Sequence, residues 1–176
     1  MAEVDPGADV ALLEAEIVIV DPRPVIESNE GTRGLSSNWE KSERTYISRL
    51  RSALPLYGSP LCQVGIFSPA EFSSVFGPLA ALADRCQKAA DQIKDILDHW
   101  EEKKGDIGSV FQQQFWDQYD NYQEIYRKSK QLLRDKWRLE EDFEELCKLR
   151  RGAAQYSLQD LLDLPVSNYL TVFNKY

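Results

Sequence analysis

The side chains of this 176-residue sequence with the means for chemistry are one histidine, three cysteines and 29 carboxylates, and their spacing gives most of them no partner. His99, the only histidine, stands beside Trp100 near the end of a helical pattern; having one histidine excludes most His-based triads and His-rich metal sites, and His99 reads as a surface or boundary residue. Cys62, Cys86 and Cys147 are odd in number, far apart, and lack the close pairs of a zinc knuckle or redox motif, so they read as buried thiols. The carboxylates fall along amphipathic helical patterns, where the outer face is their default place, and no two are singled out as an acid/base pair. The sequence contains no G-x-x-x-x-G-K-S/T, G-x-G-x-x-G or G-x-S-x-G motif. Bond-making catalysis has no visible apparatus, and neither a metal nor an organic cofactor is expected.

Composition narrows the remaining classes. With 43% hydrophobic and 28% charged residues the chain is ordinary for a globular protein, and its length suits one domain. A net charge of −8 without a dense basic run argues against nucleic acid as a partner, because phosphate affinity comes from clustered Lys and Arg. No apolar run approaches the roughly 20 residues that cross a bilayer. The first residues are acidic where a secretory leader is basic, and the last four carry no prenylated cysteine pattern. The expectation is a cytoplasmic protein with no transmembrane segment, recruited to membranes only through other proteins.

The elements that would position a site are helices. Residues 1–35 are of different texture: Ile17–Val20 is a short β-branched run followed by Pro22 and Pro24, which reads either as part of a flexible tail or as a segment docking in extended form together with Val25 and Ile26. Residues 36–176 form the expected helical domain. Ser37 and Glu40 suggest a capping box for a helix over about residues 38–53, with Trp39, Tyr46, Ile47, Leu50 and Leu54 on its apolar stripe. Glu43 and Arg44 lie only partly off that stripe, so either could point at a partner, although a helical glutamate is usually just solvated. Residues 56–67 read as a connection whose apolar side chains pack down. Ser68, Pro69 and Glu71 give the clearest helix start, for a helix over about residues 69–102 that Gly77-Pro78 interrupts mildly. A third pattern, from Ile107 to Leu133, carries so many aromatics that stacking on bases is conceivable, but without interleaved basic residues they read as core. A charged helix over 134–151 follows, with Trp137, Phe143, Leu146 and Cys147 inward. Finally, Tyr156–Tyr176 opens on a Ser157/Asp160 capping box and runs apolar through Leu158, Leu161, Leu162, Leu170, Val172 and Phe173, with a kink expected at Pro165. The fold class is all-α, an elongated helical bundle of five or so helices.

Taken in order, these segments resemble the Dbl-homology domain of exchange factors for Rho-family GTPases. SERTYISRL (42–50) resembles its first conserved region, usually T-E-x-x-Y-V-x-x-L, and SPAEFSSVFGPLAAL (68–82) resembles the start of its second helix. IGSVFQQQFWDQYDNYQEIYRKSKQLL (107–133) is similar to the second conserved region, and YSLQDLLDLPV (156–166) to the start of the third, L-x-x-L-L-I-K-P-x-Q-R. The resemblance covers about residues 38–170 and implies a partner, a Rho-family small GTPase, whose switch regions are clasped so that its nucleotide-free state is stabilised. It also implies GTPase-contacting residues. Glu43 matches the first-region glutamate, Leu164 stands where the family usually has lysine, and Ser167 and Asn168 stand where it has Gln-Arg. With these departures, and a chain that ends within the third region, exchange is expected to be weak or lost. The alternative is a non-catalytic helical interaction scaffold or adaptor.

Overall fold

The computed structural model describes residues 29–173, apart from the side chains of residues 29, 30, 32, 153, 154 and 169–173. The proposed docking segment Ile17–Val20, with Val25 and Ile26, and the side chains of Leu170, Val172 and Phe173 therefore lie outside the described residues. The described residues form helices joined by short turns, with no strand: α1 Asn29–Ala53, a π-helical turn Leu54–Gly58, α2 Ser59–Gln63, α3 Pro69–Asp98, a 3-10 turn Gly108–Val110, α4 Gln113–Leu139, α5 Glu141–Ala154 and α6 Leu158–Phe173. This is the all-α bundle expected. No helix among the described residues is long and apolar enough to cross a membrane.

Helix α3 starts where its residues demand. Ser68 Oγ accepts the Glu71 amide at 3.3 Å, and the Glu71 carboxylate accepts the Ser68 amide at 2.8 Å. Pro69 then occupies a position whose amide would have no helical partner. The helix passes Pro78 and ends at Asp98, with exposed His99 as its C-cap, a turn earlier than its apolar pattern suggests. Two other boundaries differ from the sequence reading. Helix α1 runs in from Asn29, so the Ser37/Glu40 pair lies inside it; a Ser-x-x-Glu pattern marks a start only where backbone amides are free. The expected connection over 56–67 is largely helical instead. Pro55 and Pro60 are the second residues of the π turn and of α2; each lacks an amide donor, yet the backbone stays helical from α1 through both.

Packing follows the apolar stripes. Trp39, Tyr46, Ile47 and Leu50 of α1 are buried against Val75, Phe76, Leu79, Leu82, Cys86 and Ile93 of α3 in one core. The two helices are antiparallel, as Arg44–Asp91 (3.3 Å) and Arg51–Asp84 (3.2 Å) show, but these exposed ion pairs contribute at most about 1 kcal/mol each. Phe115, Tyr119, Tyr122 and Tyr126 bring α4 into the same core. The expected continuous charged helix is broken at Glu140, whose extended backbone (φ −125°, ψ 101°) separates α4 from α5. That break places Phe143 and Cys147 inside but leaves Trp137, read as an inward residue, 47% exposed, with one face against Phe143. Cys86 and Cys147 are buried thiols as expected, while Cys62 is half-buried.

The turn after α3 depends on a glycine. Gly105 has φ +58°, and a Cβ there would lie 2.7 Å from buried Trp100. Gly105→Ala is expected to destabilise the protein by about 2 kcal/mol, combining left-handed strain with overpacking. Urea denaturation checks this, and unchanged stability would show that the turn is not held against Trp100.

Candidate functional site

Helix α6 begins at the predicted capping box. Ser157 Oγ accepts the Asp160 amide at 3.0 Å and Asp160 accepts the Ser157 amide at 2.9 Å. Leu158, Leu161 and Leu162 then turn into the core. Pro165 lies inside the helix and cannot donate to the Leu161 carbonyl. At the next carbonyl, Tyr122 of α4 donates its hydroxyl to Leu162 O at 2.6 Å. One turn along α4, Tyr126 donates to Asp163 Oδ1 at 2.7 Å. Gln159 ties the same pair together, donating to the Tyr126 hydroxyl (2.8 Å) and to Asp163 Oδ2 (2.7 Å). Tyr57 fixes the approach to α6 by donating to Tyr156 O at 2.5 Å. Three tyrosine hydroxyls from two elements therefore hold this segment, where a leucine-only interface would leave it free to slide. Burial, with Asp163 adding to it, pushes the Tyr122 and Tyr126 hydroxyls well above their ordinary range, so both stay protonated donors.

Across the bundle, α1 presents Glu43 inward. Its residue is 3% exposed, and Oε1 has no hydrogen-bond partner among the described residues. The carboxyl is hydrogen-bonded to the Cys86 thiol, which in turn lies 3.4 Å from the Tyr119 hydroxyl. Tyr119 also donates to the Tyr46 hydroxyl at 3.5 Å. No cation pairs with the carboxylate among the described residues, and burial, opposed by the hydrogen bond from the thiol, raises its pKa from 4.5 to about 7. A buried acid that is half protonated near neutrality is a different object from a solvated helical glutamate.

Helix α1 packs directly on α6, so Glu43 and the 164–168 segment belong to adjoining helices. The four residues singled out by resemblance differ in access. Ser167 is exposed, with its hydroxyl 3.4 Å from Asp163 O. Asn168 is half-buried, and its Nδ2 is buried without a partner among the described residues. Leu164 is half-buried and packs on the core. Glu43 lies inside rather than in solvent, and its spacing carried the signal: Trp39, Glu43, Tyr46 and Leu50 are separated by four, three and four residues, so position 43 falls on the apolar stripe. Phe115, Tyr119, Tyr122 and Tyr126 are core, as their spacing predicts, but spacing does not assign partners to the tyrosine hydroxyls. Regular placement of tyrosine, rather than phenylalanine, at 119, 122 and 126 was the available clue.

The burial of Glu43 makes stability depend on pH. The folded protein holds the proton more tightly than the unfolded chain, so Glu43's contribution is fully present below about pH 4.5. It declines as pH rises to about 7, and then levels off. The loss is on the order of 3 kcal/mol. Glu43→Gln keeps the shape without the titration and is expected to flatten this part of the pH–stability curve; urea titrations from pH 4.5 to 8 that show the same slope in both proteins would contradict the assignment.

Comparison with known proteins agrees with this architecture. The RhoGEF domain family model matches residues 40–170. Protein ECT2 of mouse and of human are each 22% identical to the chain over 142 residues, covering 73% of this chain and 16% of the relative. The chain thus spans well under a fifth of the length of these relatives. No solved structure matches it. The matched span takes in residues 40–53 of α1, all of α3, α4 and α5, and α6 through Leu170, and on that basis the chain belongs to the RhoGEF, or Dbl-homology, domain family.

Proposed function

We propose that this domain accelerates GDP release from a Rho-family small GTPase by binding its switch regions and stabilising the nucleotide-free state. The observation that carries this reading is the family match across residues 40–170, which includes both helices, α1 and α6, on which the resemblance places the GTPase contacts. No covalent step is required. By linkage, a protein that binds the nucleotide-free GTPase more tightly than the nucleotide-bound one must weaken nucleotide by the same factor. A thousandfold weakening corresponds to about 4 kcal/mol of differential binding, within reach of a few helix contacts.

The chain's own residues suit the role unequally. Ser167 offers an exposed hydroxyl and Asn168 a buried Nδ2 with no partner among the described residues, which meets a GTPase acceptor only if the side chain turns outward. Leu164 supplies apolar contact where lysine would reach a carboxylate. Glu43 can meet a switch loop only by swinging out from beside Cys86. That movement is opposed for the neutral acid and favoured for the carboxylate, because only the charged form gains from returning to water. The scaffold reading rests on a specific observation too: Glu43 is buried and the lysine position is leucine.

Release of a fluorescent GDP analogue from a panel of Rho-family GTPases tests the proposal. At least one member is expected to show concentration-dependent acceleration, with Asn168→Ala lowering it by about tenfold, the equivalent of one hydrogen bond to a partner. Acceleration from no panel member would overturn the exchange reading.

A further inference from the structure

The groove between α4 and α6 joins an apolar floor to a basic wall, and the chain carries a segment of complementary chemistry. Lys130, Leu133, Arg134, Trp137 and Gln159 line an open groove of about 340 Å³. Its floor is apolar, with Leu133 buried and Trp137 showing 47% of its surface to solvent. Its wall is basic. Arg134 has no carboxylate partner among the described residues; its Nε donates only to the Lys130 carbonyl at 3.3 Å. Lys130 lies over the Tyr126 ring and 3.4 Å from Asp163, both loose contacts. A second groove, lined by Val64, Ile66, Asp142, Glu145, Leu146 and Leu149, is acidic and would reject an acidic occupant.

Residues 1–28 contain seven carboxylates and one arginine, and so hold −6 of the chain's net charge of −8. Within them DVALLEAE, residues 9–16, sets Val10, Leu12 and Leu13 among Asp9, Glu14 and Glu16. Reach decides which part could arrive. Helix α1, 25 residues long, starts at Asn29, beside the end of α3, where Arg33 donates to the Leu97 carbonyl. The groove lies at the opposite end, where Tyr57 holds Tyr156 and Lys136 donates to Ile66 O at 2.6 Å. At about 1.5 Å per helical residue the path back is on the order of 40 Å. An extended chain covers that in no fewer than about 12 residues. An extended chain running back from Asn29 would bring Ile17–Val20 no further than the rim and residues 9–16 across the groove, with Pro22 and Pro24 favouring an extended connection.

We propose that the α4/α6 groove is the docking site of this chain's own acidic segment Asp9–Glu16, its leucines covering Trp137 and its carboxylates pairing with Lys130 and Arg134. The contact is intramolecular, so a short tether supplies a high effective concentration and a weak intrinsic interaction suffices. It is also electrostatic at its rim, and salt weakens it.

Zero-length carbodiimide cross-linking of the full chain, read by mass spectrometry on the monomer, tests this directly by joining lysines to adjacent carboxylates. The expected product links Lys130 to Asp9, Glu14 or Glu16. Its yield is expected to fall about fivefold or more, equivalent to about 1 kcal/mol, in Arg134→Glu and in Trp137→Ala, with melting curves checking that each variant remains folded. A freely moving tail instead reaches first the lysines near Asn29, Lys94 and Lys103. Links concentrated there, links insensitive to both variants, or links found only in dimers would overturn the proposal, the last by assigning the groove to a second copy.

Discussion

A tyrosine cannot be buried without a place for its hydroxyl, and in this bundle that constraint decides where the last helix lies. Tyr119, Tyr122 and Tyr126 stand one turn apart on α4, all buried. Tyr119 spends its hydroxyl on Cys86 and Tyr46, across to α3 and α1, while Tyr122 and Tyr126 spend theirs on Leu162 O and Asp163 of α6. Apolar packing alone would tolerate rotation or a slide of α6 along the core, because leucine contacts are non-directional. Two short hydrogen bonds to successive residues fix its register, and with it the direction in which Leu164, Ser167 and Asn168 leave the core.

The same row of tyrosines explains why Glu43 can be tolerated inside. Its neighbours, Cys86, Tyr46 and Tyr119, are polar enough to accommodate a neutral acid and too poor in charge to hold a carboxylate. Burial therefore shifts the proton equilibrium towards neutrality rather than destroying the fold. One residue that resemblance assigns to a GTPase-contacting surface, Glu43, is thus held within the core.

Sequence patterns made the fold class, the core stripes and two helix starts legible, because Ser68-Pro69-Glu71 and Ser157-Asp160 sit where amides are free and a capping residue changes the outcome. The start of α1 was not legible, since Ser37/Glu40 has the same residue types within a helix that has already begun. Nor was the break at Glu140: no glycine or proline marks it, and the charged residues on either side are equally compatible with one helix or two. For the candidate site, resemblance located the positions but not their access. Whether Glu43 faced solvent depended on treating a glutamate by its spacing rather than by its type. Which hydroxyls anchored α6 depended on the approach of distant segments, as with Tyr57 and Tyr156, 99 residues apart.

The central claim is that α1 and α6 together form a surface that recognises a GTPase by its nucleotide state. Titration of the full chain against one Rho-family GTPase, prepared nucleotide-free and GDP-loaded, measures this as a ratio of dissociation constants. The account predicts preference for the nucleotide-free form by about a hundredfold or more, equivalent to about 3 kcal/mol. Equal affinity for the two forms would contradict it, because a ligand that does not distinguish two states cannot shift the balance between them.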